Sequence, residues 1–302
     1  MMQYCIETKK LTKRFGKKIA LNNFTLSIEA GGIHAIIGSN GAGKSTLFRL
    51  LLGVTSPSSG SASLLGIDSG VLSPEVRGRT GYVNEEHTLP QWMKASEVTN
   101  LQQSFYPQWN QRVYDSVIGY FDLDPAQRIS GLSRGERAGL NLSMALAQSP
   151  DVLILDEPTL GLDVVAKQSF LEALMFAEIE GNATIIYCSH QMEEIERVAD
   201  KLIVMEKGAL RNNSSPDAFV SRVSCWIGDF AGDKPARDKI PGYLSAKIID
   251  GQHHIMVVDQ GPDFGQQLKN IGAETVTQSS VNLERAVNAF LAKNHNRPDS
   301  EA

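Results

Sequence analysis

The nine residues GSNGAGKST, at positions 38–46, limit the possible folds of this chain more than any other stretch. They match Gly-x4-Gly-Lys-Ser/Thr, follow the compact apolar run GIHAIIGS (32–39) and open a helical pattern at Gly43. A strand, a glycine-rich loop and a helix in that order make a phosphate cradle. The glycines allow the backbone to turn so that successive N–H groups face a phosphate chain, and the helix N-terminus adds partial positive charge. Gly38, Ser39, Asn40, Gly41, Ala42, Gly43, Lys44, Ser45 and Thr46 are therefore candidate nucleotide-binding residues. Lys44 is placed to reach the β- and γ-phosphates and the Ser45 hydroxyl to meet Mg2+. A match of this kind arises by chance in roughly 1% of chains of this length, and the strand–loop–helix context makes an accident rarer still.

Two further stretches carry chemistry. DVLILDEP (151–158) reads as a short buried strand that releases two carboxylates at its C-terminal end, where ligands collect in open parallel sheets. Asp156 is placed to hold Mg2+ through water, and Glu157 to polarise an attacking water. LSRGE (132–136) has the Ser-x-x-Glu spacing of a capping box, Ser133 with Glu136, which starts a helix. Gly135 falls inside that first turn, where a helix prefers almost any other residue. Asp163 reads by itself as the cap of a helix starting at Val164.

Around these motifs, short apolar strands alternate with helices. Strand-like runs fall at 3–8, 24–30, 32–39, 61–67, 81–85, 152–155 and 184–188, with a hairpin at 201–211 and helices at 164–180 and 191–199. The pattern implies an α/β fold with a mainly parallel sheet covered by helices. From about 88 to 147 it turns helical, which marks an inserted helical subdomain within a nucleotide-binding domain of residues 1–215. NNSSPD (212–217) is a polar, proline-containing breaker. Beyond it, residues 222–295 read as a small α+β domain, with a hairpin at 244–260 turning on Asp250-Gly251 and two amphipathic helices around the strand ETVTQS. His253 and His254 are neighbours in that hairpin, so they face opposite sides and make a poor metal pair. NRPDSEA (296–302) reads as a disordered tail.

Of the 302 residues, 42% are hydrophobic and 21% charged, which suits a folded soluble chain. The net charge of −5 removes any bulk electrostatic case for nucleic-acid binding. Cys5, Cys188 and Cys225 are too scattered for a metal or redox pair, as expected of a reduced cytosolic protein. No secretion signal is read at the N-terminus. No apolar run reaches the ~18–20 residues that span a bilayer, so any membrane crossing is expected of another chain.

In order along the chain, GSNGAGKST, LSRGE, LILDEP, TLGLD and the lone histidine of CSH (188–190) resemble the ATP-binding cassette ATPases over residues 1–215. The resemblance implies a P-loop NTPase core with a mixed sheet and an inserted helical subdomain. It implies an active head-to-tail dimer, either a homodimer or a heterodimer with a similar ATPase. In that dimer the LSRGE helix of one chain closes over the ATP held by the other, so Ser133, Arg134, Gly135 and Glu136 act across the interface. Further, it implies that Phe15 stacks on adenine, that Glu157 is the catalytic base, that His190 bonds the γ-phosphate and that Asp163 couples the two sites.

The chain departs from the family pattern at three places. Arg134 stands where a glycine is usual and Glu136 where a glutamine is usual. Arg134 is expected either beside the partner's phosphates or in solvent, and Glu136 to cap its own helix. Glu85, in GYVNEE, replaces the glutamine that couples the cassette to its membrane partner. A carboxylate there can approach Mg2+ but cannot donate hydrogen bonds as an amide does.

The resemblance also implies work for a transporter, on the cytoplasmic face of the membrane, with separate integral membrane permease subunits. Docking is expected near HTLPQWMKASE (87–97), where Trp92 and Met93 either meet a membrane subunit or pack the insert's own core. LPQWM, SFYPQWN, LSRGERAGL and the C-terminal SVNLERAVNAFL resemble bacterial exporter-type cassette ATPases. The expected activity is therefore ATP hydrolysis driving export. An importer ATPase and a non-transport regulatory ATP-binding module are the alternatives. The translation and DNA-maintenance types fit less well: one phosphate loop is present, and the gap of about 90 residues to LSRGE holds no sustained heptads.

Overall fold

The computed structural model of the chain describes residues 4–180, 183–230 and 237–292, with the side chains of 178–180 left aside. It divides into two compact units between Asn213 and Ser214.

The first unit opens with a hairpin, β1 (Ile6–Phe15) and β2 (Lys18–Ile28). Next come β3 (Ile33–Ile37), α1 (Lys44–Leu51), β4 (Ser59–Leu64), β5 (Ile67–Asp68), α2 (Pro74–Gly78) and β6 (Thr80–Val83). Three helices follow, α3 (Ala95–Phe105), α4 (Gln111–Ile118) and α5 (Arg134–Ala147). The unit then alternates through β7 (Val152–Asp156), α6 (Val164–Glu180), β8 (Thr184–Cys188) and α7 (Met192–Val198) to β9 (Lys201–Glu206) and β10 (Ala209–Ser214).

The central sheet has the strand order β10-β9-β3-β8-β7-β6, and β3, β6, β7, β8 and β9 run parallel. Its middle strands, IHAII and TIIYC, are buried along their whole length because both faces of the sheet are covered. Adjacent β3, β8 and β7 end together, so the phosphate loop, His190 and the Asp156-Glu157 pair leave the sheet on one edge.

A second sheet differs from the mainly parallel expectation. β2, β1, β4 and β5 form an antiparallel sheet of their own. The strand pattern was legible at 3–8, 24–30 and 61–67, but the ends of β1 and β2 at their shared turn were not, because one face of this sheet meets solvent and carries Lys9, Lys10, Lys18 and Asn22. Register shifts in β1, with Lys10 and Asn23 at positive φ, further break the alternation. Leu11, Leu21 and Phe24 of this sheet pack with Leu47, Phe48 and Leu51 of α1 into one core. Fully burying a side chain such as Phe48 contributes roughly 1.5–3 kcal/mol, so this cluster anchors α1 and the loop before it.

On the other face of the central sheet, Leu142 and Ala145 of α5 and Phe170 and Leu174 of α6 pack against Leu153, Leu155 and Tyr187. The helical insert has its own core of Val98, Ile129, Leu132, Leu140 and Met144. Met93 packs against that core, whereas Trp92 is 72% exposed. Met93 thus takes the packing role weighed for it, while Trp92 does not pack in that core.

The second unit begins with α8 (Pro216–Ser221) and continues with β11 (Val223–Phe230), β12 (Tyr243–Ile249), β13 (Gln252–Val258), α9 (Phe264–Asn270), β14 (Ala273–Ser279) and α10 (Leu283–Ala292). NNSSPD does interrupt the chain, since β10 ends and the two units divide within it, and it also starts a helix: Ser215 caps α8 by accepting from Ala218 N, and Pro216 fills the first helical position. The four strands are antiparallel in the order β12-β13-β11-β14. Asp250 and Gly251 have φ of 50° and 80°, as a two-residue hairpin turn needs. Trp226, Ile255, Phe264 and Leu268 form the core of this unit. The tail at 296–302 lies outside the described residues.

Candidate functional site

The phosphate loop lines an open cleft of about 380 Å³ together with Phe15, Lys18, Ala20, Glu85, Asp156 and Glu157. Asn40 through Thr46 face the cleft. Gly38 and Ser39 stand behind them, where the Ser39 carbonyl accepts from Ala42 N and the Gly38 carbonyl accepts from Lys44 Nζ at 2.7 Å. The loop's own carbonyl thus holds the largely buried ammonium where phosphate oxygens would compete for it. Gly43 caps α1 with φ of 106°, and a Cβ there would lie 2.5 Å from the Ala20 carbonyl oxygen, so only glycine fits. No side chain caps α1, which leaves its first-turn N–H groups to an anion. Phe15 is half exposed at the rim, with the Lys13 ammonium 5.1 Å from its ring centroid.

The carboxylates stand opposite the loop. Burial pushes the Asp156 carboxyl up, while hydrogen bonds from Ser45 and Cys188 and the nearby Lys44 charge pull it back. Tyr82 was not singled out in the sequence; burial, followed by the nearby Asp156 carboxylate, pushes its hydroxyl up to about 12. Glu157 has φ of 51°, and its amide donates to the Cys188 carbonyl at 3.0 Å. Its Oε2 meets His190 Nδ1 at 2.8 Å and the His190 amide at 3.3 Å. Its side chain is 14% exposed against 52% for His190, so a largely buried carboxylate that lines the cleft is held by an exposed imidazole that is not itself among the lining residues.

Hard-cation chemistry fits this donor set. Among the described residues no group of three or more His, Cys, Asp or Glu side chains can cage a metal. Magnesium keeps few protein ligands and takes the rest from phosphates and water. The Ser45 hydroxyl and Asp156 carboxylate, which line the same cleft and lie near enough to influence each other, supply such a pair, and Glu85 lines that cleft too.

The LSRGE segment forms a complete capping box. Ser133 Oγ accepts from Glu136 N at 3.1 Å, and Glu136 Oε2 accepts from Ser133 N at 2.6 Å. Gly135 is buried for a reason inside its own chain: a Cβ there would lie 2.6 Å from the Ala166 Cβ of α6. Arg134 is exposed, as one of the two positions considered for it requires, and it also makes a contact that neither anticipated. Its Nη2 donates to the Glu85 carbonyl at 3.2 Å, so the guanidinium is exposed yet fixed in its own chain. Asp163 accepts from Ala166 N at 2.9 Å and caps α6.

The structure adds a buried hub that sequence reading missed. Glu194 Oε2 accepts from Thr159 at 2.8 Å, Tyr187 at 2.6 Å and Ser189 at 2.8 Å, and Lys167 Nζ lies 3.5 Å from its Oε1. The hub ties the segment after Glu157 to the segment carrying His190. Only helix phase could have found it, since Glu194 shares a buried stripe with Ile195 and Val198 while Glu193 is exposed.

Comparisons agree with this geometry. The family model described as ABC transporter matches residues 21–160. The Nod factor export ATP-binding protein I of Burkholderia lata is 30% identical over 287 residues, covering 92% of this chain and 94% of that protein. Its namesake in Cupriavidus metallidurans is 30% identical over 303 residues, covering 94% and 96%. Among solved structures, the ATP-binding subunit of an ABC transporter aligns with a TM-score of 0.64 and 24% identity, over 72% of this chain and 92% of that one. A dimeric ATP-binding cassette in a post-hydrolysis state with ADP and Pi aligns with a TM-score of 0.61 and 21% identity, over 70% and 98%. The phosphate loop, the carboxylate-ended strand and these full-length relatives lead to one assignment: the chain belongs to the ABC transporter family, as an ATP-binding protein of that family.

Proposed function

We propose that this chain hydrolyses ATP as the motor subunit of an ABC exporter and works as a head-to-tail dimer on separate integral membrane subunits, at the cytoplasmic face of the membrane. The observation that carries the reading is that Glu157, in contact with His190 at 2.8 Å, lines the same cleft as the phosphate loop.

Lys44 and the α1 N-terminus bind the phosphates, and Phe15 offers its ring to the adenine. Ser45 and Asp156 would hold Mg2+, which would supply neutralisation of phosphate charge when bound. Glu157 orients and polarises the attacking water, and His190 holds that carboxylate in place. The cleft is open, so the lid comes from a second copy. Ser133 suits that task, because its Oγ accepts from its own helix while its hydroxyl proton stays free to donate to the partner's γ-phosphate. Among the described residues no helix is long and apolar enough to cross a membrane, which leaves that crossing to partner subunits. The relatives' name supports export as the direction of transport.

The test is the specific ATPase rate of the purified chain as a function of its concentration. The rate should fall on dilution and recover on concentration. A rate untouched by dilution overturns the dimer. Recovery of the chain in a membrane fraction with a polytopic partner tests the transport assignment.

A further inference from the structure

A residue of the LSRGE segment would by position serve the partner's ATP. The geometry points to a different task for Arg134: it is a positioning residue that acts within its own chain, fixing Glu85 at the edge of the cleft formed by its own phosphate loop. The contrast rests on the dimer proposed above.

Three observations converge. Arg134 Nη2 donates to the Glu85 carbonyl at 3.2 Å, and the Glu85 side chain lines the cleft beside Lys44, Asp156 and Glu157. The guanidinium also lies flat against Gly161: a Cβ on that residue would sit 3.0 Å from Cζ and Nη1 and 3.2 Å from Nε. Two residues after Glu85, the buried His87 bonds the Pro158 carbonyl through Nε2 at 2.7 Å. The 84–87 loop is therefore pinned at two points, by Arg134 on the start of α5 and by Pro158 after the catalytic carboxylates.

A glycine at position 134, usual in the family, supplies neither the hydrogen bond nor the plane laid on Gly161. The loop would then keep the His87 bond and lose the Arg134 one. The two departures from the family pattern are thus one device: the arginine steadies the backbone of the residue that replaces the coupling glutamine. A guanidinium suits the place because its donors and its flat face act at once.

Mixed dimers with Lys44→Ala on one chain have one working cleft, built from the intact phosphate loop and the LSRGE of the Lys44→Ala chain. Arg134→Ala is placed either on the chain with the intact loop or on the other. The first arrangement should show a kcat about tenfold below the second, with KM for ATP within twofold, and Arg134→Lys in the first arrangement should recover part of the loss. Equal rates in the two arrangements, or the reverse order, overturn the assignment. Amide hydrogen exchange on the nucleotide-free chain is independent of the dimer. Arg134→Ala should speed exchange across 84–87, and unchanged exchange overturns the proposal even if the dilution test has removed the dimer.

Discussion

Nδ1 of His190 lies 2.8 Å from Oε2 of Glu157. The two residues leave adjacent strands whose register pairs Asp156 with Cys188, so the sheet itself sets their separation. A neutral imidazole that donates through Nδ1 to the carboxylate leaves Nε2 as an acceptor.

Glu157→Gln keeps the shape of the side chain and removes its charge. ATP binding should persist while turnover falls by about 10²–10⁴-fold, the usual contribution of a general base. Single-turnover assays on the variant check this, and normal turnover would move the base elsewhere.

Lys44→Ala removes an ammonium whose present partner is the Gly38 carbonyl. Charge-assisted bonds of this type contribute about 1.5–3 kcal/mol, which is about 10- to 150-fold in Kd. Titration with a fluorescent ATP analogue measures it, and unchanged affinity would remove the phosphate-loop assignment.

Gly135→Ala puts a methyl 2.6 Å from the Ala166 Cβ and forces α5 and α6 apart. Overpacking of this kind costs about 1–3 kcal/mol. The urea midpoint should fall accordingly, and adding Ala166→Gly should restore part of it.

Glu194→Ala strips one buried acceptor from Thr159, Tyr187 and Ser189 and leaves Lys167 without its carboxylate. The expected loss is about 2–5 kcal/mol in unfolding free energy. Glu194→Gln, which keeps an acceptor oxygen, should lose less. Equal stability of all three proteins in denaturant would dismiss the hub.

Burial lowers the His34 imidazole below its ordinary range, against the raising effects of its Gly31 bond and Asp200. The unfolded chain therefore takes up this proton first as pH falls, and the folded form loses stability below about pH 6.5. One such group contributes a slope of up to about 1.4 kcal/mol per pH unit. His34→Gln keeps a donor for the Gly31 carbonyl and should flatten the acid limb of the stability profile. An unchanged limb would show that His34 is protonated in the fold.

The elements most legible in the sequence are those whose cause lies within a few residues. The loop at 38–46, the capping box of Ser133 and Glu136, the Asp163 cap and the Asp250-Gly251 turn all depend on local backbone geometry, and all four form as their spacing implies. The helix at 164–180 and the strand at 184–188 end where their patterns end. The antiparallel first sheet was half hidden because its lysine-bearing face carries no apolar signal.

By itself the sequence determined which side chains could do chemistry and on which ends of which elements they stand, because a phosphate loop and a buried strand are written in consecutive residues. Only the tertiary structure decided which of them meet. Glu157 reaches His190 across 33 positions, Thr159 reaches Glu194 across 35, and Arg134 reaches Glu85 across 49. Such meetings follow from strand register and helix packing, which no short stretch encodes. For the same reason Gly135, unaccounted for by its own helix turn, is explained within the chain only by the neighbouring helix that packs on it.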